Sequence, residues 1–226
     1  MYRRRLLGAL AATGAVAVAG CLGGEDGSYE FDAEPASVPA GVLADAGYAG
    51  EEPEPFHVEQ SVDLPGVEAR VSVTTWVAGY EHAERGAALF VASTPNATVA
   101  GQSVNPLVRA EPAELLRRLI DQGEGGPDGD DVDEIEERGT ETRELLGQSV
   151  EVTTFEAQVD LDVDEEALAD AEGVEGAEGL DDGEVPALVH VATVEHREDV
   201  IALVGVHPQA VDEAGTLLSL MEAVEH

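Results

Sequence analysis

Six histidines and 48 carboxylates are the raw material for any catalytic or metal chemistry in this chain of 226 residues. His82 and His196 each follow a glutamate, at Glu81 and Glu195, close to an expected hairpin turn. A metal shared between them would require the two turns to meet. His190 and His196 fall on one face of an expected strand, but six residues at about 3.3 Å each separate them by roughly 20 Å, too far to share one ion. A hydrolytic acid–histidine site would place a carboxylate within hydrogen-bond reach of His190, His196 or His207 in a concave site. Asp160, Asp162 and Asp164 alternate and lead into Glu165 and Glu166, and alternating oxygens suit calcium. That loop lacks the glycine at its sixth position and the glutamate at its twelfth that a calcium hand uses. Asp128, Asp130, Asp131 and Asp133 are similar, and in so acidic a chain both clusters read as solvated surface loops. Ser103 and Ser149 each sit in Gly-Gln-Ser-Val, which is not the glycine-flanked turn that exposes a nucleophilic serine. Trp76, Tyr80 and Phe90 are either pocket lining or core, and a tryptophan on a central strand reads as core. No glycine-rich phosphate loop and no basic patch is present. The expectation is no catalytic residue, no metal and no cofactor.

The positioning elements begin with a leader. Arg3, Arg4 and Arg5 open it without a nearby acid, and Leu6 to Val18 is apolar, Gly or Thr. This run is shorter than the ~20 residues that cross a bilayer. A charged start, a short apolar run and small residues before a cut describe an export signal over residues 1–20. Arg3-Arg4-Arg5-Leu6-Leu7 has the form of a twin-arginine signal, the address of proteins exported already folded. Val18-Ala19-Gly20-Cys21 resembles a lipobox, in which the chain is cut before the cysteine and the thiol takes a lipid. Cys21 is the only cysteine in the sequence. Lipid on Cys21 would use the only thiol, leaving none for a disulfide within the chain or a thiolate metal site.

Removing the leader takes three of the eleven basic residues and none of the 48 acids, leaving a formal charge of −40. All eleven basic residues are arginine. Self-repulsion on this scale destabilises a compact state in dilute buffer. At molar salt the screening length is about 3 Å and the repulsion largely disappears. The charge excludes nucleic acid as a partner and argues against anionic membrane surfaces. Extreme acidity, absent lysine and much Ala, Gly and Val describe a body adapted to brine. Disorder from charge alone is set aside because 43% of residues are hydrophobic and several runs carry β patterning.

Residues 21–34 read as a lipid-anchored tether, and residues 35–226 as one α+β domain with acidic loops at 123–144 and 162–184. Helices are expected at Ser37–Gly47, capped by Ser37, at Glu111–Gln122 with a stripe of Leu115, Leu116, Leu119 and Ile120, and at Val211–Val224. Six strands are expected: Phe56–Val62, Val67–Tyr80, Ala87–Thr94, Val150–Leu161, Pro186–Val194 and Val200–His207. Ala87–Thr94 reads as buried on both faces. Consecutive hairpins with two or three packed helices give a mostly antiparallel sheet. Val71-Ser72-Val73-Thr74-Thr75-Trp76 echoes Val150-Glu151-Val152-Thr153-Thr154-Phe155, and Glu81-His82 with Ala88-Leu89 echoes Glu195-His196 with Ala202-Leu203. Two β-β-β-α halves are one reading of these echoes; the repetitiveness of strand sequences is the other. Asn96-Ala97-Thr98 fits the N-glycosylation acceptor pattern in a turn after a strand.

Several of these pieces together resemble a haloarchaeal family of twin-arginine-exported lipoproteins built on a domain of unknown function. They are Arg3-Arg4-Arg5-Leu6-Leu7-Gly8, Ala19-Gly20-Cys21, Ala46-Gly47-Tyr48, Val73-Thr74-Thr75-Trp76, Ser93-Thr94-Pro95, Thr153-Thr154-Phe155, Val194-Glu195-His196, Val204-Gly205-Val206-His207-Pro208 and Glu225-His226. The resemblance implies export, a two-chain lipid on Cys21 and anchorage to the outer face of the cytoplasmic membrane; it assigns no active-site residue. The hairpin-rich plan with a terminal helix also resembles the PsbP/Mog1-like sandwich, as a fold analogy. The expected function is a non-enzymatic surface module that binds an envelope protein or a small molecule. The alternatives are an extracytoplasmic hydrolase with an acid–histidine site, and a structural or cation-binding surface protein.

The charge reading makes a direct prediction. Dialysis from molar NaCl to millimolar salt should abolish the cooperative thermal transition followed by circular dichroism. An unchanged melting temperature in low salt would contradict the brine-adapted reading.

Overall fold

The computed structural model describes residues 28–64, 67–99, 102–103, 105, 111–114, 135–160 and 184–226. The leader, Cys21, most of the expected helix at Glu111–Gln122 and most of both acidic loops lie outside them.

Strand β1 (Ser28–Asp32) is followed by helix α1 (Ala40–Ala46) and a short β2 (Ala49–Gly50). Next come β3 (Glu54–Leu64), β4 (Val67–His82), a 3-10 turn at Ala83–Arg85, and β5 (Ala87–Pro95). Two-residue strands β6 (Thr98–Val99) and β7 (Gln102–Ser103) form a separate ribbon. The chain then supplies β8 (Glu136–Leu145), β9 (Gln148–Asp160), β10 (Glu184–His196), β11 (Asp199–Pro208) and helix α2 (Ala214–Glu222).

These strands make one mixed sheet of nine, ordered β1-β4-β5-β11-β10-β9-β8, with β2 and β3 also on β4. The expected six-stranded α+β plan, mostly antiparallel with packed helices, is therefore overturned. Three causes account for it. Ser28–Asp32, in the stretch read as tether, joins β4 in parallel, pairing Ser28 with Arg70 and Asp32 with Thr74. Glu136–Leu145, in a stretch read as loop, pairs antiparallel with β9. Ala49–Gly50 adds a short antiparallel pair on β4. The two-halves reading fails as well. Val71–Trp76 and Glu81-His82 both belong to β4, whereas their echoes fall on different strands, β9 and β10.

Alternation along β4 is as the sequence suggested. Ala78 and Tyr80 turn inward with Leu89 and Val91 of β5, Ile201 and Leu203 of β11, and Ala192 and Val194 of β10. Helix α2 closes this face with Leu217, Leu218, Leu220 and Met221. Helix α1 adds Leu43, with Ala46 packed against the cluster. It begins after Pro39 and ends at Gly47, whose φ of 79° is the left-handed conformation glycine adopts freely. Ser37 does not cap it and instead pairs with Glu225. A second, smaller cluster lies on the opposite face, formed by Phe155, Ala157, Val189, Val191 and Val204 with Ala113, Ile135 and Val206 against it. β5 is not buried on both faces, since Phe90 is 49% exposed.

Gly205 of β11 lies directly beneath α2. A Cβ there would come within 3.1 Å of Met221 Cε and 3.4 Å of Leu217 Cδ2. Gly205→Val should therefore overpack the interface and cost about 1–3 kcal/mol. Gly215→Ala, where a Cβ meets nothing within 4 Å, should be neutral or stabilising. Urea melts in high salt would distinguish the two.

Candidate functional site

Antiparallel pairing sets His190 of β10 opposite Thr154 of β9 on one side and Gly205 of β11 on the other. His207 stands two residues beyond Gly205 on the same face. This register makes His190 and His207 diagonal neighbours on adjacent strands. Their ring centroids are 5.4 Å apart and their planes 15° from parallel. Both histidines are 2% exposed. His207 Nδ1–H donates to the Pro208 carbonyl at 2.9 Å. A carbonyl only accepts, so the proton of the neutral ring is on Nδ1 and Nε2 holds a bare lone pair. His190 Nδ1 lies 3.0 Å from Thr154 Oγ1. Nε2 of each ring is buried without a hydrogen-bond partner.

Burial pushes the His190 imidazole down to about 4, and the neighbouring His207 adds to that shift. Burial also lowers His207. Both rings are thus neutral at pH 7. Such a pair can offer two imidazole nitrogens, but among the described residues no group of three or more histidine, cysteine, aspartate or glutamate side chains could hold a metal ion. Two ligands fall short of the three or four protein ligands of zinc sites.

His226 forms the second candidate. Its Nε2 is 3.0 Å from Asp199 Oδ2 and 3.4 Å from Ser93 Oγ. Serine, histidine and aspartate are the residue types of a nucleophilic triad, but the arrangement is wrong for one. A relay needs the acid on one ring nitrogen and the hydroxyl on the other. Here both use Nε2, while Nδ1 is buried without a partner. Asp199 also accepts the Glu34 N–H at 2.8 Å. Burial raises the Asp199 carboxyl, and its hydrogen bonds from Glu34 and His226 oppose that rise. Together with the Ser37–Glu225 bridge, these bonds fasten the segment before α1 to the segment after α2.

A third buried group is Glu213, 1% exposed. It accepts from Arg85 Nη1 at 2.5 Å and from Tyr48 O–H at 3.3 Å. Burial, then the Glu213 charge, raises the Tyr48 phenol above its ordinary value. The carboxylate is satisfied on both oxygens, which joins α1, the 3-10 turn and the start of α2.

The expected site residues are distributed accordingly. His190 and His207 are brought together. His196 packs edge-on against His226, and His82 edge-on against Tyr48. None of the hydrogen bonds or ion pairs of His190, His196 and His207 among the described residues reaches a carboxylate. Trp76 donates to the Ala33 carbonyl on the helix-covered side, whereas Phe90 faces the other way, so the three aromatics do not line one pocket. Asn96 lies half-buried in the turn after β5, its N–H bound to the Glu198 carbonyl at 2.8 Å. Arg3, Arg4, Leu6, Leu7 and Cys21, and the aspartates at 128–133 and 162–164, lie outside the described residues. Sequence reasoning missed the Asp199–His226 pair, because 27 residues separate its members and the Glu225-His226 ending carries no sign of an acid partner.

A family model described as a domain of unknown function, DUF6517, matches residues 35–225. No curated protein matches the chain. Among solved structures, the solution structure of cyanobacterial PsbP (CyanoP) from Synechocystis sp. PCC 6803 is similar at 14% identity. That similarity covers 96% of this chain and 99% of the other, with a TM-score of 0.31.

The buried histidine pair sets a pH dependence. Between the ordinary value of 6.5 and about 4, the unfolded chain takes up a proton that folded His190 refuses. The contribution of neutral His190 is therefore present above pH 6.5 and lost as pH falls towards 4. At about 1.4 kcal/mol per pKa unit, the loss approaches about 3 kcal/mol. Urea midpoints from pH 7 to 4 should fall in the wild type and flatten in His190→Leu, each read against its own pH 7 value.

Proposed function

The chain belongs to the DUF6517 family, domains of unknown function, and from that premise we propose that it is a non-enzymatic binding or interaction module. In this reading it is exported by its twin-arginine leader and held at the outer face of the cytoplasmic membrane by lipid on Cys21. The observation that carries the non-enzymatic part is the Asp199–His226–Ser93 geometry. The one acid–histidine pair among the described ion pairs is interior, with side chains 6% and 0% exposed. Its hydroxyl and carboxylate share one nitrogen, so it cannot pass a proton from one to the other. The chemistry-bearing side chains are used to hold strands and segments together, which leaves the surface to do the work.

The anchoring part rests on the placement of the single cysteine. One lipid chain binds membranes marginally, whereas two anchor stably, and the halophilic composition suits a body standing in brine. The leader and Asn96 keep their sequence readings: Arg3, Arg4, Leu6 and Leu7 direct export, and Asn96 stands in a turn reachable by a glycosylating enzyme outside the cell.

Mass spectrometry of protein purified from native membranes tests the proposal. The expected N-terminus is Cys21 carrying a two-chain lipid. Cys21→Ser should move the protein from the membrane fraction to the medium or leave an uncut leader. Replacing Arg3 and Arg4 by lysine should retain the precursor in the cytosol. A free thiol on an uncut chain in the cytosolic fraction would overturn the reading.

A further inference from the structure

The sequence contains four phenylalanines, and the strand registers place all four on one face of the sheet. Phe31 pairs with Val73, Phe56 with Thr75, Phe90 with both Gly79 and Val204, and Phe155 with Val189. This is the face turned away from α1 and α2. At the β8–β10 end Ala113 and Ile135 pack against it, and Phe155 is 3% exposed. At the β3–β5 end it is open. Phe56 is 59% exposed, Phe90 49%, Val77 43% and Val58 38%.

These four side chains form a strip. Val58 and Phe56 are consecutive on this face of β3, and Val77 is the next residue on this face after the Thr75 partner of Phe56. Phe90 sits opposite Gly79, its ring 3.6 Å from where a Cβ would be. Diagonal neighbours across paired strands lie about 7–8 Å apart, so the strip is continuous across three strands. Contiguous apolar surface of this kind marks interaction sites.

Charge selects the occupant. Glu54 is the cross-strand partner of Val77, and Glu81 is the next residue on this face after Gly79. Both are exposed, and neither forms an ion pair among the described residues. A second copy seated symmetrically would put Glu54 and Glu81 of both chains into one interface and supply no cation from this strip, because a two-fold interface presents the same patch from both sides. A bilayer would desolvate both carboxylates without a counter-charge. A protein surface with an apolar centre and a cationic rim satisfies both features. Screening at molar salt does not remove this term, because pairs in contact and partly buried are screened much less than exposed ones.

We propose that the Val58–Phe56–Val77–Phe90 strip is the contact face for a second protein, apolar at its centre, with arginine or lysine at its rim to meet Glu54 and Glu81. The proposal deepens the interaction-module reading and names the partner's chemistry.

Photo-crosslinking in intact cells in native brine tests it. The aromatic crosslinker p-benzoylphenylalanine replaces Phe56 or Phe90 in turn, with Val42 on α1, 37% exposed, as the control position. The expected result is one discrete protein adduct from positions 56 and 90 and none from 42. Its crosslinked peptide should be apolar with a neighbouring Arg or Lys. Glu54→Arg with Glu81→Arg should cut the yield at least fivefold while the thermal transition is kept. An adduct of twice the chain mass, a lipid adduct, equal labelling from position 42, or a yield indifferent to charge reversal would each overturn the proposal. Lipidated protein at the surface with no adduct would remove this inference and leave the anchoring reading intact; unlipidated cytosolic protein would remove the anchoring reading.

Discussion

A broad sheet with α1 and α2 on one face only is the constraint from which the rest follows. Seven strands lie side by side from β3 through β4, β5, β11, β10 and β9 to β8, which at about 4.8 Å per step is roughly 29 Å across. The two helices described from end to end are of seven and nine residues, about 10 and 14 Å long. Two such helices can seal one face, and they do so above Leu89, Ile201 and Leu203, each 1% exposed or less. They cannot seal the other. With Ala113 and Ile135 packed against one end, that face is left with its largest apolar side chains in solvent at the end where β4 collects its partners.

Strand β4 makes this geometry possible. Its sixteen residues hold β3 and β2 along one edge, β1 and β5 along the other. There β1 enters in parallel, on the same edge of β4 as β5. Ala33 and Glu34, just beyond it, are taken up by the Thr74 carbonyl and the Asp199 carboxylate. The Asp199–His226 pair then closes the loop between the two ends of the described domain. An acid and a histidine brought together for that purpose are worth more as a fastening than as a reagent, because a buried charge is tolerated only where its hydrogen bonds are filled.

Legibility in the sequence followed the strength of alternation. Val71, Val73, Thr75 and Val77 against Ser72, Thr74 and Trp76 revealed the pleat of β4 but not the side of the main core, which lies on the Trp76, Ala78 and Tyr80 side while Val77 is 43% exposed. β8 was unreadable by that rule. Glu136, Glu137, Arg138, Glu141, Arg143 and Glu144 are charged on both faces, and most of the strand is exposed. An edge strand is protected from unwanted pairing by such charge, so the device that keeps it soluble also hides it from periodicity. The surviving signal was Leu146-Gly147, a two-residue turn with φ of 49° and 75°, the conformation of a tight hairpin. β1 was hidden by brevity, with only Tyr29 and Phe31 to mark a face. The His190–His207 pair depended on register between β10 and β11, which no local pattern encodes.

The arginines show how the acidic surface is managed. Among the described residues, Arg85 ties to Glu213, Arg138 to Glu156, Arg143 to Glu141 and Arg197 to Glu34. Three of these pairs are largely exposed and individually worth little, whereas Arg85 reaches a carboxylate that is almost wholly buried. Arginine suits both uses, since its planar fork serves two oxygens and its weak hydration makes burial less costly than for lysine. These four arginines each reach from one element to another, Arg143 doing so through Glu222 of α2, while carboxylates far outnumber arginines in the sequence. Salt screening makes that imbalance tolerable for those that face solvent. For Glu54 and Glu81, beside exposed phenylalanine and valine, it leaves negative charge at the border of an apolar surface. The same composition that keeps the body soluble in brine thereby gives its open face a sign, and restricts what can rest against it.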